Sequence, residues 1–131
     1  IGQSGIQDIG LIGGARTIRS QVYARSLRAT GINLQQRIAQ ALSIRVEAGD
    51  TSSDALQQET NRIMAPLYNS GAILLACTHY PAISKVIQAA VSPDTRLIDP
   101  AEHFASWIIE NWKFDESDVT DYWFTTGDPA K

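Results

Sequence analysis

A single cysteine, Cys77, excludes an internal disulfide, so packing alone must hold this chain together. No apolar run approaches the roughly 18 residues of a membrane span, and nothing has the charged-then-apolar layout of a signal peptide. Both absences point to the cytoplasm. Basic charge is not in excess: 11 lysines and arginines face 14 acidic residues, and the net charge of -3 supplies no field to hold a polyanion. That argues against nucleic acid as a partner. Cys77 and His79 alone lack the further ligands and the spacing of a zinc site, so no metal is expected. No internal repeat of fixed period is present. The 131 residues suit one domain, large enough to bury a core without metals or disulfides. The first residue is Ile1 rather than methionine, and residues 1–8 form a glycine-rich, unpatterned leader or linker. The expectation is a fragment, or a chain whose earlier part lies outside this sequence.

What is present is organised around residues 72–81. The apolar run Ala72, Ile73, Leu74, Leu75, Ala76 stops abruptly at Cys77, Thr78, His79, Tyr80 and Pro81. A short apolar run broken by polar residues and a proline reads as a buried parallel strand that delivers its last side chains to the carboxyl edge of a sheet. Open α/β sheets place their ligands at that edge.

Upstream, Ile9 to Gly14 reads as a strand entering a glycine turn, and 17–29 as a helix that stops at Gly31. The double glycine lacks the spacing of a dinucleotide fingerprint and reads as a tight turn beside a pocket. Thr17 opens the helix, where it either caps the end or helps to hold an anion such as a carboxylate. The stretch 34–39 is a second strand or the start of a short helix. The alternation Leu42, Ser43, Ile44, Arg45, Val46 suits a short strand leading to Glu47. A helix begins at 50–53 with Thr51 and Asp54 at capping-box spacing, carries Leu56, Ile63, Met64, Leu67 and Tyr68 on one face, and loses its regularity at Pro66 before Gly71.

Downstream, Pro81 starts a helix carrying Ile83, Val86, Ile87 and Ala90, and 95–98 forms a short strand. Asp99 caps a further helix with Pro100 at its first position and Glu102 at box-like spacing. Its Phe104, Trp107, Ile108 and Trp112 form a stripe expected to pack on a core. Residues 115–131 read as an acidic connector and one last strand. The arginines at 16, 19, 25, 28, 37 and 45 are spread around their elements without interleaved aromatics, which suits solvated surface better than a phosphate face. The alternation of strands and helices predicts an α/β fold, a parallel sheet flanked by helices.

A lone cysteine at a strand end is either a small buried hydrophobe or an acid/base group. An unperturbed thiol ionises near pH 8.5, so modest electrostatic help lets it both take and give a proton. His79 is then a partner that steers protons, a ligand contact, or a satisfied structural histidine.

The segment Cys77, Thr78, His79, Tyr80, Pro81, preceded by 73–76, resembles the second cysteine motif of the glutamate racemases, within the cofactor-independent aspartate/glutamate racemase superfamily. The resemblance runs from about 9 to 128. The segment Ile9 to Tyr23, with Gly13, Thr17, Ser20 and Tyr23, is similar to that family's strand and helix following its glycine, threonine pattern. Val46, Glu47 and Gly49 are similar to its valine, glutamate stretch; Leu97, Ile98 and Asp99 to its strand after the cysteine helix; Thr126, Gly127, Asp128 and Pro129 to its closing motif. The resemblance implies one lobe of a two-lobed racemase-type fold, with 9–114 as the lobe and 115–131 returning toward the first lobe. It implies inversion of glutamate at its α-carbon by two cysteines on opposite faces, without pyridoxal phosphate or any other cofactor. Cys77 and His79 would then be catalytic, and Thr78, His79, Thr17 and Glu47 would meet the substrate. The product would be D-glutamate for peptidoglycan, the substrate a small amino acid, and a homodimer is allowed. An aspartate or hydantoin racemase, a cysteine-dependent decarboxylase or a noncatalytic binding lobe are the alternatives. The family's aspartate, serine, glycine stretch and its cysteine, asparagine, threonine motif do not occur in this sequence, and Gly14 stands where a threonine is common.

Overall fold

The computed structural model describes residues 5–113 and Phe124. In chain order it comprises β1 (Asp8–Gly13), α1 (Ala15–Ser20), α2 (Val22–Leu27), a 3-10 turn (Arg28–Thr30), β2 (Asn33–Ile38), α3 (Gln40–Glu47), α4 (Asp54–Met64), a 3-10 turn (Ala65–Leu67), β3 (Ala72–Ala76), a 3-10 turn (Tyr80–Ile83), α5 (Ser84–Ala89), β4 (Arg96–Ile98) and α6 (Pro100–Asn111). The four strands pair in parallel in the order β2-β1-β3-β4. This is the α/β architecture expected from the alternation of elements, with β1 and β3 in the middle. The connector and strand expected at 115–131 lie outside the described residues. No described helix is long and apolar enough to cross a membrane.

The period-two alternation of a strand sorts the core into two clusters, one on each face of the sheet. Ile12, Ile73 and Leu75 face Leu42, Leu56, Ile63, Met64, Leu67, Tyr80, Ile83 and Ile87, from α3, α4, α5 and the intervening turns. Ile9, Leu11, Ala72 and Leu74 face Ile18 and Ile98, with Tyr23 packed at the rim. Gly10 sits on the first face with no room for a side chain: a Cβ there would lie 2.5 Å from Ile73 Cδ1 and 3.2 Å from Leu67 Cδ1.

Several local expectations need correction. Residues 42–46 are helix, not strand: in α3 Leu42 and Ser43 are buried and Val46 packs on the core, while Ile44 is 58% exposed. Residues four apart share a helix face, so Leu42 and Val46 fit a helix as well as five alternating residues fit a strand. The stretch 34–39 resolves to strand β2. The first helix is interrupted at Gln21, which takes a left-handed backbone with φ 55°. Its side-chain amide donates to the Ile18 carbonyl at 2.7 Å, closing off α1 before α2 begins. Gly31, with φ 72°, ends the segment as expected. The cap of α4 is Ser53, whose hydroxyl accepts from the Leu56 N–H at 3.1 Å, rather than Thr51. Regular helix stops at Met64, just before Pro66. Of the residues on the apolar face, Leu56, Ile63, Met64 and Leu67 are buried and Tyr68 is exposed.

Pro81 lies inside the 3-10 turn, ahead of α5. Asp99 does cap α6, accepting from the Ala101 N–H at 2.9 Å. The aromatic stripe of α6, however, is not in the core: Phe104, Trp107 and Trp112 are all exposed. Phe104 and Trp107 stack on each other with ring centroids 6.2 Å apart. The arginines are solvated as expected, except that Arg45 is half-buried and pairs with Asp50 at 2.9 Å.

Candidate active site

Parallel pairing brings the carboxyl ends of the strands to one edge. Gly13 at the end of β1 lies opposite Ala76 at the end of β3 and opposite Ile38 at the end of β2. Cys77 is the next residue past that edge. Continuing the alternation, Ala76 belongs with the α1 side of the sheet and Cys77 with the α3 and α4 side, where it is half-buried against the core. The thiol is thus neither sealed among aliphatic groups nor fully in solvent.

The chain then turns at once. The Tyr80 N–H donates to the Cys77 carbonyl at 3.3 Å and the Ala82 N–H to the His79 carbonyl at 3.2 Å, closing the 3-10 turn that contains Pro81. The turn folds His79 back along the strand end, and its Nδ1 lies 3.4 Å from Cys77 Sγ. The other ring nitrogen, Nε2, lies 3.2 Å from Glu47 Oε1. Glu47 arrives from the last residue of α3, so the helical state of 42–47 is what carries its carboxylate to the ring. Sulfur, imidazole and carboxylate form a continuous line. In the neutral ring that carries no hydrogen on Nδ1, this nitrogen can accept the thiol hydrogen; with the ring protonated, Nδ1–H can donate to a thiolate and the cation pairs with the Glu47 carboxylate. Such an arrangement can move a proton to or from the sulfur.

Beside Cys77 opens a cavity of about 220 Å³, walled by Tyr23, Leu75, Ala76, Cys77, Thr78, Asp99, Pro100 and Ala101. It is large enough for a small amino acid rather than a nucleotide. Thr78 stands at its wall and is exposed. Thr17 shares this edge of the sheet, on α1 just beyond Gly13, but it is not among the cavity's walls. Nor does it cap α1. The cap position is Gly14, and the Ala15 N–H donates to Gln40 Oε1 at 3.3 Å, so a side chain from α3 occupies the helix end where an anion was expected. A polar hollow of about 290 Å³ at the opposite edge, near Asp8, Asn33 and Asn69, lies away from the thiol.

Three neighbours of the site escape a reading by motif. Asp99 is legible as a cap, yet it also walls the cavity, because it follows the end of β4 as Cys77 follows the end of β3. Tyr23 is legible as a helix-face residue, and it too reaches the cavity. Tyr80 is fully buried beneath the turn, and its ionisation is pushed well up, by burial first and then by the adjacent Cys77 sulfur. Among the described residues there is no group of three or more histidine, cysteine, aspartate or glutamate side chains placed to hold a metal ion.

No protein-family model matches the chain. Its sequence is 34% identical over 97 residues to the glutamate racemase of Desulforudis audaxviator, covering 71% of this chain and 36% of that protein. Its backbone matches the glutamate racemase of Campylobacter jejuni with a TM-score of 0.80, over 95% of this chain and 51% of that one, at 21% identity, a likeness of fold. It also matches the glutamate racemase of Francisella tularensis, solved in complex with D-glutamate, with a TM-score of 0.70 and 25% identity, over 81% of this chain and 43% of that one. The chain spans about a third to a half of the length of these proteins. In sequence and in fold, the chain is similar to the glutamate racemases over that part of their length.

Proposed function

We propose that the chain supplies one of the two acid/base thiols of a glutamate racemase, with residues 9–114 as the lobe that carries it and 115–131 as the return toward the other lobe. The observation that carries this reading is the line from Cys77 Sγ to His79 Nδ1 at 3.4 Å and from His79 Nε2 to Glu47 Oε1 at 3.2 Å, at the edge of a cavity sized for an amino acid. In the scheme, Cys77 as thiolate removes the α-hydrogen of one enantiomer, and a thiol on the opposite face returns a hydrogen to the planar intermediate. In the other direction, Cys77 as thiol is the donor. His79 moves a proton to or from the sulfur between turnovers, and Glu47 orients the ring. Thr78 stands in the wall that positions the substrate, and Thr17 lies on the same edge of the sheet, outside that wall. The carbanion-like state needs preorganised donors around it, and these must come from both sides of the cleft. The setting is cytoplasmic and the product D-glutamate for peptidoglycan.

The sequence holds a single cysteine, so purified chain is expected to show no racemisation of either glutamate enantiomer by polarimetry or chiral chromatography. Cys77 should nevertheless react with iodoacetamide in the native protein, and glutamate should slow that reaction more than aspartate does. A thiol inert in the native state would favour a noncatalytic lobe; stronger protection by aspartate would favour an aspartate racemase. Turnover by this chain alone would overturn the two-cysteine scheme.

A further inference from the structure

Tyr80 has no role in the line of Cys77, His79 and Glu47. Its side chain is 0% exposed, and its phenolic oxygen lacks an aligned hydrogen-bond partner among the described residues. A buried hydroxyl left unpaired is costly, and each one in a folded protein calls for an explanation. The surroundings of this one are specific. The Tyr80 N–H is bonded to the Cys77 carbonyl, which holds the two residues together in one tight turn. Tyr80 belongs to the buried cluster against which Cys77 packs. The sulfur is also the one side chain whose charge acts on the phenol, in the direction that keeps its hydrogen in place. The phenol is thus an undissociated donor beside a sulfur that can become an anion.

We infer that Tyr80 is a positioning residue whose phenolic hydrogen is held in reserve for the thiolate form of Cys77. When the sulfur loses its proton, the buried O–H turns to it and forms a charge-assisted hydrogen bond; when the sulfur regains the proton, the phenol returns to its unpaired state. No proton leaves Tyr80 in either direction. Two donors then address the thiolate from different sides, Tyr80 from the core and His79 from the rim, leaving the cavity side of the sulfur for the substrate. The remaining ionisable groups around the sulfur are Glu47 behind His79, and Tyr23 and Asp99 across the cavity. The inference rests on the acid/base reading of Cys77 and adds the group that favours its ionised form from within.

The test is the pH dependence of Cys77 alkylation by iodoacetamide in the whole chain, paired with the near-ultraviolet absorbance of the thiolate. In Tyr80→Phe the midpoint should move up by about one pH unit, which makes alkylation below the midpoint roughly tenfold slower. Replacing Tyr80 with a ring-fluorinated tyrosine keeps the hydroxyl and makes it a stronger donor, so the midpoint should move down. This second variant carries the test if Tyr80→Phe does not fold. A midpoint unchanged in the folded variants overturns the inference; a higher melting temperature of Tyr80→Phe alongside it would mark the hydroxyl as a mere unpaired group. Protection of the unaltered chain by glutamate is scored separately, so failure of the racemase reading is distinguishable from failure of the Tyr80 role.

Discussion

Glu47 and His79 are far apart in sequence and 3.2 Å apart in space, and both are partly open to solvent. An ion pair so exposed adds little to stability, so its contribution must be sought in the behaviour of the thiol. His79→Ala removes the group in contact with the sulfur and should slow Cys77 alkylation at neutral pH on the order of tenfold or more. Glu47→Gln leaves the ring in place and removes only the carboxylate that orients it, so its effect should be smaller, about a few-fold. The order of the two effects is the check: if Glu47→Gln slowed alkylation more than His79→Ala, the line from sulfur to carboxylate would be the wrong description. Cys77 and His79 were legible in the sequence because a strand end and a proline turn place them together. Glu47 was legible only through resemblance, since the alternation before it suggested a strand, and a strand would not have brought it here.

At the scale of elements, the segment 40–64 shows what short patterns can and cannot specify. Five alternating residues are compatible with either period, and the burial of Leu42 beside Ser43 in α3 is decided by the partner surface of α4 and the turn at Tyr80–Ile83. The N-terminus of α4 is clearer. Ser53 accepts from the Leu56 N–H, and Asp50 in turn accepts from the Ser53 hydroxyl at 2.7 Å and from its N–H at 3.1 Å. Ser53→Ala should therefore destabilise the chain by about 1 kcal/mol in urea unfolding, a typical cost of losing a cap. The same hydrogen bonds, those from Ser53 first and that from Arg45 after them, hold the Asp50 carboxyl below its ordinary value. A depressed carboxyl contributes stability above its unfolded value and loses it as pH falls through its folded value. Asp50→Asn should thus be less stable than the parent at neutral pH. The gap between their urea midpoints should close as the pH drops below the usual carboxylate range; a gap independent of pH would mean that charge is not what Asp50 contributes.

At the scale of the whole sheet, burial among the strands is concentrated in two of the four. β1 is buried from Ile9 to Gly13 and β3 from Ala72 to Leu75, whereas β2 alternates between exposed and half-buried and β4 has only three residues. The sheet order was beyond the sequence, which shows strands but not which of them pair. The exposed face of α6 marks a second limit: helical spacing shows that Phe104 and Trp107 share a face, and says nothing about whether that face is covered. The middle position of β1 and β3 has a measurable consequence, because edge strands open locally while central ones exchange their amide hydrogens only on global unfolding. Amides of β1 and β3 should exchange slowest, and those of β4 faster. Gly10→Ala tests whether this protection comes from the shared core. The added Cβ must displace Ile73 and Leu67, both fully buried, so it should cost about 1–2 kcal/mol of global stability. Exchange in β1 and β3 should then speed up by about 5- to 30-fold, while local opening of β4 stays as it was. Because Cys77 directly follows β3, the same measurement bears on the site: if β3 proved as labile as β4, the sulfur would not be held still enough for proton transfer in a fixed geometry.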